Sequence, residues 1–305
     1  MILKNKMEVI CWEHNVIPVI IICHSGAARQ YVYSHWHKEL EISWLFKGEV
    51  EFYNGGKRRL IKNNGINLAN SEELHYAIPR KESWDSEENV GITIQLNYAF
   101  LKGLIPDLDE LYFEIPSDSV EGDLTERMGR IYELYTQGDG PEMKLKILAI
   151  VCELIAVLYE KCRNRKSIVP VNEQKDRERI KIIIEYLNTH YKEKLQQQEL
   201  AKKFHFSREY FSRFFKQQTG MTFKEYLTHY RLGKAMDELL YSDKKVLDIA
   251  WNNGFTSESQ FISCFKNAYK VTPSVYRNLN RQKPVKDEMQ RTASLNNHKY
   301  VTKAI

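Results

Sequence analysis

The sequence predicts an α+β multidomain protein: an antiparallel β-sandwich or barrel with a helical hairpin, then an all-α domain of two helix–turn–helix units joined by a long helix. Three observations predict it. Hydrophobic spacing is strand-like over roughly the first hundred residues and helical from Leu124 onward. The helical part repeats one pattern: Ala201 then Phe206-Ser207, and Ala250 then Phe255-Thr256, each followed by Phe-x-x-x-Phe-Lys (Phe211, Phe215, Lys216; Phe261, Phe265, Lys266). Charge divides along the chain as well, with 21 Lys/Arg against 27 Asp/Glu in residues 1–176, 19 against 11 in 177–281, and 5 against 2 in 282–305.

Composition sets the outer limits. With 43% hydrophobic and 28% charged residues, 14 Gly and 8 Pro in 305 positions, collagen-like and wholly disordered readings are excluded. Five scattered cysteines (Cys11, Cys23, Cys152, Cys162, Cys264) without a C-x-x-C pair argue against a disulfide framework or a zinc knuckle and for a reducing compartment. The first residues carry no secretory h-region with a cleavage site. Val16–Cys23, broken by Pro18, and Ile147–Tyr159, carrying Glu153, are too short to span a bilayer. A cytoplasmic protein with no membrane partner is expected.

Strands are expected over Leu40–Phe46 and Glu49–Tyr53, which are rich in aromatic and β-branched residues and are followed by the hairpin signal Asn54-Gly55-Gly56. Shorter ones are expected at Ile66–Ala69, His75–Ile78 and Gly91–Leu96, which places a β-domain in residues 1–115. Leu124, Met128, Ile131 and Tyr135, then Leu148, Val151, Ile155 and Leu158, mark two helices either side of the breaker Gln137–Pro141, a hairpin over 116–162. Ile147, Ile150, Leu154 and Val157 make the second helix apolar on more than one stripe, so it must be covered on two sides. Either the chain's own β-domain and first helix supply that cover, or the remaining face makes a dimer. The charged segment 163–176, with Pro170, reads as a linker.

From Asp176 the punctuation is that of short helices, in a domain spanning 177–281. Ile180, Ile184, Leu187 and Tyr191 form one stripe; Gln196–Phe204 is a second helix, and Ser207–Gln217 a third that stops at Gly220. Thr222 with Glu225 is a capping box opening a long helix to about Tyr241. Val246–Trp251 is short, Ser257 with Gln260 opens a helix to near Ala268, and Thr272-Pro273 opens the last one. Residues 282–305 have no period and are expected to be a disordered tail.

A helix–turn–helix binds duplex by laying its second helix in the major groove, which requires a small residue where the helices cross, a buried face and an outer face able to hydrogen-bond. Ala201 and Ala250 meet the first need, and Phe211/Phe215 and Phe261/Phe265 the second. The outer faces carry Arg208, Glu209, Ser212 and Arg213 in one unit and Glu258, Ser259, Ile262 and Ser263 in the other. Arg213 suits bidentate pairing with guanine, and Glu209 and Glu258 suit cytosine. Ser207, Thr256 and Ser257 cap their helices and present N–H groups to phosphate. Lys216, Lys266 and Lys270 are backbone contacts.

Leu200–Arg277 resembles the DNA-binding domain of AraC-family transcription regulators nearly end to end. The resemblance rests on Leu200-Ala201, Ser207, Phe215-Lys216, Thr219-Gly220, Tyr226-Leu227, Arg231-Leu232, Ala235, Leu239-Leu240, Ile249-Ala250, Gly254-Phe255, Phe261, Phe265-Lys266, Thr272-Pro273 and Tyr276-Arg277. It implies that the two outer faces read successive major-groove segments ~34 Å apart. Two departures stand out: Lys270 lies where Gly or Asn is usual, and no Arg lies on the second outer face.

The N-terminal region resembles the cupin-type sensory domain of such regulators, through His35-x-His37-x-x-x-Glu41 and, later, His75. Residues 35, 37 and 41 share parity, so a strand would point them to one face. In metal cupins this set holds iron or manganese; here Asn70-Ser71-Glu72 replaces the expected Pro-x-Gly, and neither a cofactor nor a metal is expected. His35, His37, Glu41, Trp44, Tyr53 and His75 are instead read as lining a pocket for a small polar effector, the resemblance pointing to carbohydrates. The function expected is a ligand-responsive, non-enzymatic transcription activator, a homodimer whose partners are promoter DNA and RNA polymerase. Two alternatives stay open: a metal-dependent cupin enzyme with an accessory helical domain, and a constitutive regulator whose barrel only dimerises.

Overall fold

The structure is a computed structural model and describes residues 17–25, 32–80, 89–138, 140–165, 171–269 and 271–281. The expected tail at 282–305, Lys270, Cys11 and Pro170 lie outside the described residues.

Eight strands form two antiparallel sheets: β1 (Val19–Ser25), β2 (Val32–His35), β3 (Leu40–Leu45), β4 (Val50–Asn54), β5 (Lys57–Ile61), β6 (Gly65–Ala69), β7 (His75–Pro79) and β8 (Asn89–Leu96). Their orders are β1-β8-β3-β6 and β2-β7-β4-β5. The expected barrel does not close, because no ladder joins the sheets among the described residues. One edge shows the reason: four of the five residues of β5, including Lys57, Arg58 and Arg59, are exposed, and a charged edge strand resists further pairing. The Asn54-Gly55-Gly56 turn forms as expected, with both glycines at positive φ.

Alternation along the strands sorts the first sheet into an apolar outer face and a polar inner one. Leu40, Ile42, Ile66, Leu68, Ile92 and Ile94 form one core with Leu124, Met128 and Ile131 of helix α2 (Asp118–Gln137) and Ile147, Val151 and Leu154 of helix α3 (Pro141–Val157). The chain's own β-domain and α2 thus cover much of α3, while Leu145 stays 68% exposed. Glu41, Ser43, Asn67, Thr93 and Gln95, all buried, look toward the second sheet, where Asn54 of β4 donates to Asn67 at 2.9 Å. Between sheet and hairpin lie helix α1 (Tyr98–Leu104) and strand β9 (Leu111–Phe113). Strand β10 (Arg163–Arg165) pairs with β9, so the segment read as a linker begins as a strand that ties off the hairpin.

Helix α4 (Val171–His190) then starts inside the expected linker. It is followed by α5 (Gln197–Lys203), α6 (Arg208–Thr219), α7 (Phe223–Tyr241), α8 (Val246–Asn252), α9 (Glu258–Tyr269) and α10 (Pro273–Arg281). Local chemistry sets the boundaries. Ser207 accepts from Tyr210 N at 3.1 Å, Gly220 ends α6 at φ +74°, and Thr222 and Glu225 form the reciprocal capping box of α7. At α9 the box is offset: Ser257 Oγ accepts from Gln260 N, but the Gln260 side chain reaches back to Thr256 N and Oγ1 at 3.0 and 2.8 Å.

Candidate functional site

The two repeats fold into the same local structure. Phe206 N donates to Ala201 O at 2.8 Å in the α5–α6 turn, and Phe255 N donates to Ala250 O at 3.0 Å in the α8–α9 turn. Each turn passes through a left-handed residue four positions after its alanine, His205 at φ +60° and Gly254 at φ +79°. Ala201 and Ala250 are buried, which lets the helices cross closely, and Phe211, Phe215, Phe261 and Phe265 are all 0% exposed beneath α6 and α9. Each such ring contributes ~1.5–3 kcal/mol by burial, which fixes the opposite face outward.

That outer face carries the expected residues. Ser207, Arg208, Glu209, Ser212, Arg213 and Lys216 are exposed along α6, as are Thr256, Ser257, Ser259, Ser263 and Lys266 along α9, with Glu258 and Ile262 half-buried. Sequence reasoning missed how the units are locked. Arg231 of α7 donates from Nε to Tyr191 O and from Nη2 to Glu193 O, both at 2.7 Å, closing the orphan carbonyls after α4. Arg277 of α10 does the same at the end of α7, donating to Leu239 O in its last turn at 3.0 Å and to Lys244 O beyond it at 2.8 Å. Also missed was a basic concavity of about 390 Å³ where the two units meet, lined by Lys192, Lys194, Arg231, Trp251, Gly254 and Thr256. Trp251, 60% exposed, is its signal in the sequence: a large aromatic on a short helix.

In the β-domain four of the six expected pocket residues meet. His35 ends β2, His37 lies in the loop before β3, Glu41 is on β3 and His75 opens β7 opposite His35; their potential ligand atoms lie within 4.8 Å of one another. His37 Nε2 and Gln95 Nε2 lie 3.3 and 3.1 Å from Glu41 Oε2. Burial would push the Glu41 carboxyl up, but its bonds to His37 and His75 outweigh that and hold it well below the usual range. Burial likewise pulls His75 down, and the bond to Glu41 reverses the sign and raises it.

Trp44 and Tyr53 do not join the cluster. Trp44 has the opposite parity to Glu41 and packs beneath α2, where a Cβ on Gly129 would sit 3.4 Å from its ring. Tyr53 stacks on Tyr76 with ring centres 4.3 Å apart on the outer face of the second sheet, and this pair meets the helical domain. Tyr76 OH donates to Thr219 O at 2.6 Å, and a Cβ on Gly220 would sit 2.5 Å from the Tyr53 ring. The β-domain therefore rests on the carboxyl end of α6.

Comparison with known proteins agrees with this anatomy. Residues 200–279 match the family model described as a helix-turn-helix domain. An HTH-type transcriptional regulator of Bacillus subtilis, YdeC, is 25% identical over 88% of this chain and 95% of its own length. The HTH-type transcriptional activator RhaS of Mannheimia succiniciproducens is 36% identical over 31% of this chain. The chain spans only about a third of the length of that relative and of the Staphylococcus aureus regulators it also matches. The DNA-binding domain of AdpA, solved in complex with a target DNA, is 25% identical over 35% of this chain and 97% of that one, with a TM-score of 0.34. The relatives are transcriptional regulators, and among the described residues no helix is long and apolar enough to cross a membrane.

Proposed function

We propose that this chain is a transcription regulator of the AraC family that reads double-stranded DNA through α6 and α9 and responds to a small ligand in its β-domain. The observation that carries the DNA reading is the repeated turn, with the same hydrogen bond and the same left-handed position in both units, each presenting a hydrogen-bonding outer face. On the first face Arg213 recognises guanine and Lys216 holds phosphate; on the second, Ser259 and Ser263 contact bases while Lys266 and the amides near Thr256 and Ser257 grip the backbone. The name of the Mannheimia relative supports an activator role, and a homodimer that contacts RNA polymerase belongs to the same proposal.

The effector site is the polar inner space around His35, His37, Glu41 and His75, and the output is the contact of the second sheet with α6. Selection of the full chain against random duplex pools, followed by footprinting, tests the reading. The expected result is an enriched site with two elements about one helical turn apart, and binding that weakens steeply with salt. Retention of DNA with no enriched sequence would overturn it.

A further inference from the structure

The basic concavity lies where the loop after α4 meets the α8–α9 turn, outside both outer faces. Lys192 and Lys194 come from that loop, Arg231 from α7, and Trp251 and Thr256 from either side of the left-handed Gly254. Elsewhere in the helical domain a cation finds an acid, as Lys244 does in Glu238 at 2.9 Å. Among the described residues none of Lys192, Lys194 and Arg231 has a carboxylate partner: Lys192 lies over the Tyr191 ring, and Arg231 donates to two backbone carbonyls. Those two bonds use two of the five guanidinium N–H groups and hold the side chain in place without compensating its charge. Burial works against that charge and pushes Arg231 down. Like charges gathered in one hollow repel one another, and an anion set among them reverses the sign of that energy.

Trp251 adds a flat apolar face to the cations. Its indole N–H can only donate, and among the described residues no protein group takes it. Cations and an N–H call for anionic oxygens, and an uncovered ring calls for an apolar or planar surface. Phosphate esters of sugars combine the two. Shape then selects among them. The hollow, about 390 Å³, is open rather than enclosed, and it sits near the lower end of the ~300–1,000 Å³ typical of clefts that bury a small molecule. An open hollow suits a strand that passes through it. Thr256 continues it into the outer face of α9, and Lys194 stands two residues before Gln196, the N-cap of α5. In a helix–turn–helix the first helix is the one that crosses the DNA backbone. With α6 and α9 in successive major-groove segments, a sugar-phosphate ridge lies between those segments, and the hollow lies between the α5–α6 and α8–α9 pairs.

We propose that Lys192, Lys194, Arg231 and Trp251 form a third DNA contact, which takes the sugar-phosphate ridge between the segments read by α6 and α9, with the cations on phosphate oxygens and the indole against deoxyribose. This rests on the DNA reading above and deepens it. It adds a grip that is blind to sequence and fixes the register of the two readers.

The test uses the full chain and a duplex that it enriches from random pools. Ethylation of single phosphates between the two read elements is expected to block binding of the parent and to make no difference to the double variant Lys192→Gln/Lys194→Gln. That variant should bind selected and random duplexes alike roughly tenfold more weakly, with a slope of log affinity against log salt lower by about two, and should enrich the same sequence as the parent. Trp251→Ala should lose roughly fivefold on every duplex and Trp251→Phe should restore most of it; if one variant fails to fold, the other decides. Parent-like affinity and salt slope in both, on a duplex the parent selects, overturns the third contact and leaves the regulator reading standing. Lost base preference at unchanged overall affinity overturns the backbone assignment. So does a deoxynucleoside monophosphate that shields Trp251 from acrylamide as well as the duplex does at equal concentration, since the hollow then takes a free nucleotide. A parent chain that binds no duplex at all overturns both readings together.

Discussion

In the α5–α6 turn the left-handed residue is His205, in the α8–α9 turn it is Gly254, and the surroundings of each turn account for the difference. His205 is exposed and has room for a side chain. Gly254 is pressed against the loop after α4, where a Cβ would sit 2.7 Å from Tyr191 O and 2.9 Å from Lys192 Cα. The carboxyl end of α6, in contrast, meets Tyr53 and Tyr76 of the β-domain through Gly220. The second unit has its own core of Leu232, Leu239, Ile249, Phe261 and Phe265, apart from the β-domain. The order of contact is therefore β-domain, first unit, second unit. The N-terminal half packs on α4, α6 and α7 in one shared core, and the second unit is held to the first through Arg231.

Substitutions can break this comparison, and the largest effects come from the two cores. Phe215→Ala and Phe265→Ala should each cost about 3–5 kcal/mol in urea unfolding. Only Phe215→Ala should also raise hydrogen exchange at Tyr53 and Tyr76, since its core alone continues into the β-domain. Next come the turns. Gly254→Ala combines a left-handed strain of ~1–2 kcal/mol with backbone overlap and should lose at least ~2 kcal/mol, whereas His205→Gly should change stability by no more than ~1 kcal/mol. A loss at Gly254 no larger than the change at His205 would show that the second turn is not pinned.

Smaller differences should appear on DNA. Arg213→Ala should cost ~1–3 kcal/mol of discrimination at one base position in binding to a selected site. Ser259→Ala and Ser263→Ala should each relax base preference less than that, because the second face offers no guanidinium. Lys216→Ala should weaken binding to all duplexes alike and lower the slope of log affinity against log salt by about one. Equal loss of base preference from α6 and α9 variants would erase the asymmetry between the units.

Much of the helical half was legible because its rules are local. Ser207, Gly220, Thr222, Glu225 and Pro273 act within a turn of themselves, and each marks a boundary in the structure. What was not legible depends on distant partners. β1 hid in an apolar run with no alternation, and β5 is mostly charged because it is an edge. Arg231 and Arg277 look like surface cations until the carbonyls they close, some forty residues away, are known. In the β-domain, parity brought His35, His37 and Glu41 together and, applied consistently, would have turned Trp44 away. The outward direction of Tyr53 was not readable, since it follows from the helical domain docking on that side of the second sheet.

The first sheet keeps its greasy side chains on the outside, under a helical roof, and its hydrogen-bonding ones within. An ordinary sandwich cannot alter its middle without weakening itself, because the middle is its glue. Here the waterproofing and the polar interior are separate layers, so Ser43, Thr93 or Gln95 can be exchanged for other polar groups while the wall stays sealed. The same division makes the α2–α3 roof indispensable: strands cut free of it would expose a broad oily plate and clump.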